Sequence, residues 1–261
     1  YLKIPTSSSH IMFPEIGIIL AGGFGTRLSP LTDHTPKPLL MLGNKPIVQY
    51  TIDLMKKFGV KKIYLSVGHK ADQIKEYFGN GEKIGIEIDY LVETEPLGTA
   101  GPLKLAKERN ILNKTFFMSN GDEIRDINLH EMYDSHKNNN ATATIALTKV
   151  DDPSTFGVAN LEGSKILEFV EKPKLEDAPS NFISSGFYCL EPEILNFLPE
   201  KQKVSIEKDI WPNVAKAGKQ FGFHFPGYFS DTGTFERLDK VKRHLAEGKF
   251  QWIDQSLEHT T

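Results

Sequence analysis

Short apolar runs alternate with amphipathic segments from Glu15 to Val150, and the connections between them are short. This alternation strongly limits the fold, because strands that are joined through helices pair in parallel within one sheet. Apolar runs typical of strands cover residues 15–20, 61–68, 86–92, 115–122 and 142–150. Helical patterns cover residues 46–59, 71–79, 98–110 and 129–140. We therefore predict an α/β fold with a doubly wound, mostly parallel sheet and helices on both of its faces.

Three unusual stretches follow strands of this predicted sheet. They begin after Leu20, after Val92 and after Ser119. Sheets of this kind bind ligands just outside the carboxyl ends of their strands. The three stretches therefore lie where a ligand site is expected.

The pattern changes after Val150. Two strand-like runs flank Gly163 in FGVANLEGSKILEFVEKP, which predicts a hairpin. Further strands are expected at FISSGFYCL and QFGFHF, and helices at EPEILNFLP, IEKDIWPNVAKAG and GTFERLDKVKRHLAEG. We predict that this part lays a small mixed β sheet across the mouth of the first part.

The domain boundaries follow from these patterns. We predict one domain over residues 15–250, with halves at 15–150 and 151–250. Residues 1–14 show neither a helix nor a strand period, and we expect a flexible leader that could include an expression remnant. Residues 251–261 are expected to form a tail.

Composition excludes several classes of protein. The chain has 261 residues, 39% of them hydrophobic and 25% charged, with a formal net charge of −3, as is typical of a soluble globular protein. This charge argues against nucleic acid or an anionic membrane as a partner. Apolar runs stay well below the roughly 18 residues of a membrane span. The single cysteine, Cys189, excludes a disulfide framework and a cysteine zinc site, and it favours a cytoplasmic location.

The stretch LAGGFGTRLSPLTDHTPKPLL, residues 20–40, follows the first predicted strand. Its three glycines, Gly22, Gly23 and Gly25, form either an ordinary tight turn or a loop whose backbone N–H groups hold an anion. No Gly-Lys-Ser/Thr follows, so the stretch is not a Walker A loop. It also lacks the third glycine of the dinucleotide fingerprint, and its prolines exclude a regular helix.

Two cations follow these glycines. The guanidinium of Arg27 suits bidentate contact with a phosphate, and the ammonium of Lys37 acts as a point charge. Lys37 lies between two prolines, which stiffen the segment. A phosphate-binding role is therefore favoured over two solvated surface residues.

These residues resemble the signature of the sugar-1-phosphate nucleotidylyltransferases, LAGG-x-GTRL-x-PLT followed by PKP. Further family elements follow in order from Glu15 to about Leu245: EPLGTAG, NGD, FGV, EKP, SGFY and DTGT. The segment ETEPLGTAGPLKLAK, residues 93–107, looks most like that of the mannose-1-phosphate guanylyltransferases. Residues 246–261 contain no hexapeptide repeats of the kind that many members carry, so we expect a short or truncated form of the family.

The resemblance implies a Rossmann-like nucleotidyltransferase fold with nucleotide-binding residues 15–150 and sugar-binding residues 151–250. It implies that an NTP and a sugar 1-phosphate give an NDP-sugar and pyrophosphate, with Mg²⁺ as cofactor. The implied catalytic residues are Arg27 for pyrophosphate, Lys37 for the attacking and transferred phosphates, and Asp122 and Asp231 for Mg²⁺. The implied nucleotide-binding residues are Leu20, Ala21, Gly22, Gly23, Gly25, Thr26, Arg27, Glu93, Pro96, Gly98 and Thr99. The implied sugar-phosphate-binding residues are Lys37, Gly157, Glu171, Lys172, Ser185 and Gly186.

Each of these roles has an ordinary structural alternative. Asp122 could be a turn residue beside glycine. Asp231 could cap the following helix, unless Thr232 or Thr234 does so and leaves it free. Glu171 and Lys172 could form a charged strand end. Glu93, three residues before the Pro-x-Gly turn, matches the two adjacent donors of guanine; alternatively, Glu95 or backbone groups contact the base.

Several functions remain open from the sequence. We expect GTP with mannose 1-phosphate or a manno-heptose 1-phosphate as substrates. The alternatives are a uridylyl- or thymidylyltransferase acting on glucose 1-phosphate, transfer to a non-sugar phosphate such as phosphocholine, and an inactive regulatory or binding subunit. A homodimer is expected, with neither nucleic acid nor membrane as a partner.

Overall fold

The computed structural model describes residues 13–249, so the predicted tail and residues 1–12 of the predicted leader lie outside the described residues. The strands are β1 Ile16–Leu20, β2 Met41–Leu42, β3 Lys45–Pro46, β4 Lys62–Val67, β5 Glu87–Val92, β6 Phe116–Asn120, β7 Glu123–Arg125, β8 Ala143–Lys149, β9 Gly157–Glu162, β10 Lys165–Glu171, β11 Phe182–Leu190, β12 Gln220–His224 and β13 Phe229–Asp231. The α-helices are α1 Ile47–Lys57, α2 Ala71–Phe78, α3 Gly101–Glu108, α4 Leu129–Asn138, α5 Trp211–Lys216 and α6 Phe235–Ala246.

Nine strands form one sheet in the order β5-β4-β1-β6-β11-β8-β12-β10-β9. The first four pair in parallel, as the alternation of strands and helices predicts. Strand β8 does not continue this parallel run, because β11 lies between β6 and β8 and is antiparallel to both. The α/β class is confirmed, and the sheet as a whole is mixed.

The second half of the chain extends this same sheet. The hairpin predicted around Gly163 is confirmed, with β9 and β10 antiparallel and a positive φ of 60° at that glycine. Strand β10 pairs with β12, which itself lies parallel to β8. The expected small sheet across the mouth of the first half is therefore absent from residues 13–249, and its strands continue the central sheet instead.

Alternating side chains of the strands bury two core layers on opposite faces of the sheet. In β1, Ile18 packs into the layer that includes Leu103 of α3 and Trp211 of α5. The next residue, Ile19, packs into the layer that includes Ile52 of α1 and Met132 of α4. Helices on both faces, expected for a doubly wound sheet, are thus present.

The described part of the chain includes Phe13, which the sequence analysis assigned to the leader. Its ring centroid lies 5.5 Å from those of Phe117 and Tyr133. Phe13 therefore packs at the edge of the core. Within the described part of the chain, no helix is long and apolar enough to cross a membrane.

A polar cluster ties α4 to the end of β11, away from the glycine stretch. His136, fully buried, contacts Thr144 at 2.8 Å and the Glu191 carboxylate at 3.2 Å. The same carboxylate accepts from Lys137 at 2.8 Å and from the Thr115 hydroxyl. Burial raises the pKa of Glu191, but these hydrogen bonds outweigh it and lower the pKa to about 2. The charged form of Glu191 therefore stabilises the fold.

The shift in pKa from 4.5 to about 2 corresponds to roughly 3 kcal/mol at about 1.4 kcal/mol per unit, and solvent screening of the partly exposed carboxylate reduces this value. We therefore expect Glu191→Gln to lower the free energy of unfolding at pH 7 by on the order of 2 kcal/mol. Because the folded-state pKa is depressed, the contribution is complete above the ordinary value of 4.5 and is lost as pH falls towards 2. Urea unfolding between pH 7 and pH 2 measures this. The difference in the free energy of unfolding between Glu191→Gln and native protein should become smaller in acid. Glu193 is exposed, so Glu193→Gln should change the free energy of unfolding little at any pH. A pH-independent difference would contradict this role.

Candidate active site

A cleft of about 540 Å³ opens at the carboxyl ends of β1, β4, β5 and β6. Parallel strands bring their carboxyl ends to the same edge of a sheet, so the segments after them meet there. All three stretches that the sequence singled out contribute to its lining. The lining residues include Leu20, Ala21, Gly22, Gly23, Lys37, Glu93, Pro96, Gly98, Thr99 and Asp122.

The glycine stretch forms a tight wall of this cleft. A Cβ on Gly22 would lie 3.1 Å from the backbone nitrogen of Gly68, so a larger residue would crowd the neighbouring strand end. Gly25 has a φ of 65°, and its carbonyl accepts a hydrogen bond from Thr32 at 2.9 Å. Only short 3₁₀ turns follow, at Thr26–Leu28 and Lys37–Leu39, which confirms that no regular helix forms there.

The ammonium of Lys37 is buried and forms an ion pair with Asp122. Lys37 belongs to the proline-stiffened segment, and Asp122 follows β6, so the pair joins two sides of the cleft. The side chain of Asp122 keeps 38% of its surface exposed. One carboxylate face is therefore open to a ligand.

Asp231 approaches Asp122 because β13 pairs with β7, where Asp231 lies opposite Glu123. The next residue, Thr232, donates its N–H and its hydroxyl to the Asp122 carbonyl, at 3.0 and 2.8 Å. Thr234 caps α6, so the helix cap leaves Asp231 free for other contacts.

Asp231 has two partners of its own. It accepts from the Gly233 N–H at 2.8 Å and from Arg237 at 2.9 Å. A Cβ on Gly233 would lie 3.0 Å from the Arg27 guanidinium, so Arg27 is also close. The four predicted catalytic residues therefore come together from three parts of the chain: the glycine stretch of residues 20–40, the end of β6 and β13.

The chemistry of this pair of carboxylates fits Mg²⁺, which proteins hold through one or two carboxylates while substrate phosphates supply further oxygens. Asp122 and Asp231 would be its ligands. A group of three or more metal-ligating side chains is absent from residues 13–249. The adjacent Glu123 is engaged elsewhere: it pairs with Arg125 and accepts from Asn120. Burial is the main cause that raises the pKa of Glu123 to about 8, and the charges of Asp122 and Asp231 add to it.

Glu93 lies in the cleft wall, and its carboxylate stabilises the loop that follows it by accepting a hydrogen bond from within that loop. One carboxylate oxygen accepts from the Ser66 hydroxyl at 2.9 Å, and the other accepts from the Leu97 N–H at 3.1 Å. Each carboxylate oxygen has two lone pairs, so each can accept a further hydrogen bond. Glu95, the alternative in the sequence, lines the same cleft.

Thr99 also lines the cleft, but its hydroxyl is used within the protein. It donates to Glu207 at 2.6 Å and accepts from the Ile206 N–H at 2.9 Å. A Cβ on the preceding Gly98 would lie 2.3 Å from the carbonyl oxygen of Val204. The second half of the chain therefore supports the loop that faces the predicted nucleotide site.

The predicted sugar-phosphate residues Gly157, Glu171 and Lys172 come together at one end of the β9–β10 hairpin, where Gly157 lies opposite Glu171. Lys172 pairs with Glu171 at 2.7 Å and has a positive φ of 50°. A Cβ on Gly157 would lie 2.3 Å from the ring of Phe169. Close packing thus requires glycine at this position.

Ser185 differs from its predicted placement. It is fully buried, and its hydroxyl donates to the Ala146 carbonyl at 3.0 Å, so it does not line a sugar pocket. A register shift in β11 between Ser184 and Tyr188 changes the direction of the side chains there. The neighbouring Gly186 has a φ of 61° and packs against Asn120, so it lies behind the cleft wall.

The sequence missed several residues of this site. Phe24 and His69 lie at the cleft with ring centroids 5.0 Å apart, and Asn120 lies in its wall. Asn120 belongs to the quoted NGD, so that motif could have indicated it. The sequence did not indicate a role for Arg237, because neither its position in a predicted helix nor its neighbouring residues distinguish it from an ordinary surface arginine.

Residues 16–248 match the sequence model of the Nucleotidyl transferase family. The chain belongs to this family. It is 43% identical over 224 residues to the mannose-1-phosphate guanyltransferase of Yarrowia lipolytica, covering 83% of this chain and 60% of that protein. It is 41% identical over 220 residues to the mannose-1-phosphate guanylyltransferase catalytic subunit beta of Xenopus tropicalis, with the same coverage. The chain thus spans about 60% of the length of these curated relatives.

Solved structures agree with this family. A Bacillus anthracis protein assigned as a glucose-1-phosphate thymidylyltransferase matches with a TM-score of 0.80 and 28% identity, covering 87% of this chain and 94% of that one. HddC from Yersinia pseudotuberculosis, complexed with GMP-PN, matches with a TM-score of 0.74 and 28% identity, covering 88% of this chain and 99% of that one. The resemblance inferred from the sequence and the fold class it implies are confirmed.

Proposed function

We propose that this protein transfers a guanylyl group from GTP to mannose 1-phosphate, or to a manno-heptose 1-phosphate, and releases pyrophosphate. The observation that supports this most is the clustering of Arg27, Lys37, Asp122 and Asp231, of which Lys37 and Asp122 line the glycine-walled cleft. The names of the curated relatives favour mannose 1-phosphate, and GMP-PN in the Yersinia protein favours guanine.

The reaction exchanges one phosphoanhydride linkage for another. An oxygen of the sugar phosphate forms a bond to the α-phosphorus of GTP, and the bond from that phosphorus to the β-phosphate oxygen breaks. The nucleophile is already an anion, so it needs no general base. The protein therefore has two tasks, which are to align the reacting groups and to offset their mutual repulsion.

The positive charges of Lys37 and Arg27 offset the repulsion between the two anionic substrates. Lys37, stiffened by its flanking prolines, presents its charge beside Asp122 before any phosphate arrives. An incoming phosphate competes with Asp122 for that ammonium. We assign Lys37 to the attacking and transferred phosphates and Arg27, on the neighbouring 3₁₀ turn, to the departing pyrophosphate.

Asp122 and Asp231 are the proposed ligands of Mg²⁺, which when bound would screen the negative charge of the phosphates. The protein fixes their separation without the ion, because Thr232 holds the backbone of Asp122 through two hydrogen bonds. Gly233 and Arg237 orient the Asp231 carboxylate.

The sugar side of the proposal rests on the β9–β10 hairpin. Glu171 is assigned to sugar hydroxyls and Lys172 to the sugar phosphate, and Gly157, which packs closely against Phe169, lies beside them. A thymidylyl- or uridylyltransferase acting on glucose 1-phosphate is the second candidate, and the similarity to the Bacillus anthracis protein favours the thymidylyl form. The cytoplasmic location and the homodimer remain predictions.

We expect the native protein to release pyrophosphate when GTP and mannose 1-phosphate are mixed in the presence of Mg²⁺. Asp122→Asn should lower kcat on the order of a hundred-fold, as expected for removal of a preorganised charged group. The exposed Asp134→Asn is a matched control and should keep native activity. A panel of five NTPs and several sugar 1-phosphates, scored by pyrophosphate, tests the substrates. Near-native turnover by Asp122→Asn at saturating Mg²⁺ would exclude the metal role, and no turnover with any pair would favour an inactive binding subunit.

The Glu93 carboxylate is held by Ser66 and Leu97 and offers two acceptor oxygens, which match the N1–H and N2 amino donors of guanine. Uracil and thymine present one donor beside acceptor oxygens. A matched bidentate contact is worth roughly 1–3 kcal/mol, or about a ten- to hundred-fold preference for GTP.

We therefore expect Glu93→Gln to reduce the preference for GTP over UTP and dTTP in kcat/KM, whereas Glu95→Gln leaves it nearly unchanged. If Glu95→Gln reduces the preference for GTP and Glu93→Gln does not, the base contact belongs to Glu95. A native preference for UTP or dTTP would refute the guanine assignment altogether.

A further inference from the structure

Arg237 lies in the first turn of α6 and joins two parts of the proposed active site. One terminal nitrogen of its guanidinium donates to the Asp231 carboxylate at 2.9 Å. The other donates to the Thr155 hydroxyl at 3.1 Å. The guanidinium carbon lies 5.3 Å from the ring centroid of Phe156, in a cation–π contact. One side chain therefore holds a proposed metal ligand and the segment before β9.

That segment is connected in turn to the proposed sugar-phosphate residues. The Phe156 carbonyl accepts from the backbone N–H of Lys172 at 2.9 Å, and Phe156 directly precedes Gly157. Lys172 has a positive φ of 50°, which a lysine adopts only when its surroundings hold it there. Phe156 also packs edge-on against Phe229 of β13, at 6.2 Å. A shift of Phe156 would thus displace Lys172.

An isolated surface ion pair contributes little, and Arg237 keeps 31% of its side-chain surface exposed. Arg237 makes more contacts than an isolated ion pair does. Its planar guanidinium donates to two acceptors on different segments, and the face of the guanidinium covers an aromatic ring. A lysine could reach one acceptor but could not reproduce the fork and the stacking together. The arrangement therefore depends on arginine and not on positive charge alone.

We propose that Arg237 is a positioning residue that fixes the Thr155–Gly157 segment, and through it Lys172, relative to Asp231. The sugar 1-phosphate is thereby held in line with the group that it attacks. The identity of that substrate rests on the proposed function; the positioning of the segment does not. Arg237 itself contacts neither reacting group.

The test compares Arg237→Leu and Arg237→Lys with Arg243→Leu, an exposed arginine of the same helix, in the full chain. Hydrogen exchange of the unliganded protein gives the first measurement. We expect the amides of residues 155–158 and 171–172 to exchange roughly five-fold or more faster in Arg237→Leu, as for a locally released segment, and at native rates in Arg243→Leu. Unchanged exchange in these two segments would overturn the proposal, whatever reaction the protein catalyses.

Kinetics with the substrate pair that the native protein uses gives the second measurement. We expect Arg237→Leu to lower kcat/KM for the sugar 1-phosphate by roughly ten-fold or more, because small misplacements are costly, while the Kd for the NTP changes less than about two-fold. Arg237→Lys should be intermediate. Equal losses for both substrates, or complete rescue by lysine, would contradict positioning by the guanidinium. If the native protein shows no turnover with any substrate pair, the proposed function is refuted. The hydrogen-exchange measurement then tests the role of Arg237 by itself.

Discussion

The ion pair between Lys37 and Asp122 is the interaction on which the rest of the site depends. A buried ammonium needs a partner, because taking an unpaired charge out of water is costly. Pro36 and Pro38 hold Lys37 in the wall of the cleft, and Asp122 at the end of β6 supplies the opposite charge. The pair therefore fixes the proline-stiffened segment to the carboxyl edge of the parallel strands before any substrate binds.

The other parts of the site are arranged around Asp122. Thr232 binds its carbonyl and so places Asp231 nearby, and Arg237 links Asp231 to the segment before β9. On the opposite side, Glu207 supports Thr99 in the loop that faces the proposed base site. Residues from both the first and the second half of the chain thus contribute to the proposed site. Positioning and charge compensation are the contributions that nucleotidyl transfer requires of a protein.

Much of this arrangement could be predicted from the sequence, because it depends on local patterns. Strand and helix periods located the parallel strands, and the segments after their carboxyl ends lined the cleft as expected. The place of β11 in the sheet could not be predicted, since periodicity carries no information on strand neighbours. Ser185 was assigned from the family resemblance alone, which did not indicate that its buried hydroxyl donates to the Ala146 carbonyl. The contacts of Arg237 with Thr155 and of Thr99 with Glu207 join residues 82 and 108 positions apart, and no local pattern encodes them.

Calorimetric titration of nucleotide-free protein with Mg²⁺ tests most directly whether Lys37 compensates the charge of Asp122 until phosphate arrives. Replacing Lys37 by methionine leaves Asp122 without its cation, so Lys37→Met should bind Mg²⁺ roughly ten-fold or more tightly than native protein, even though it loses catalysis. Adding Asp122→Asn to Lys37→Met should abolish that gain. Binding of Mg²⁺ by Lys37→Met that is no tighter than by native protein would contradict the account.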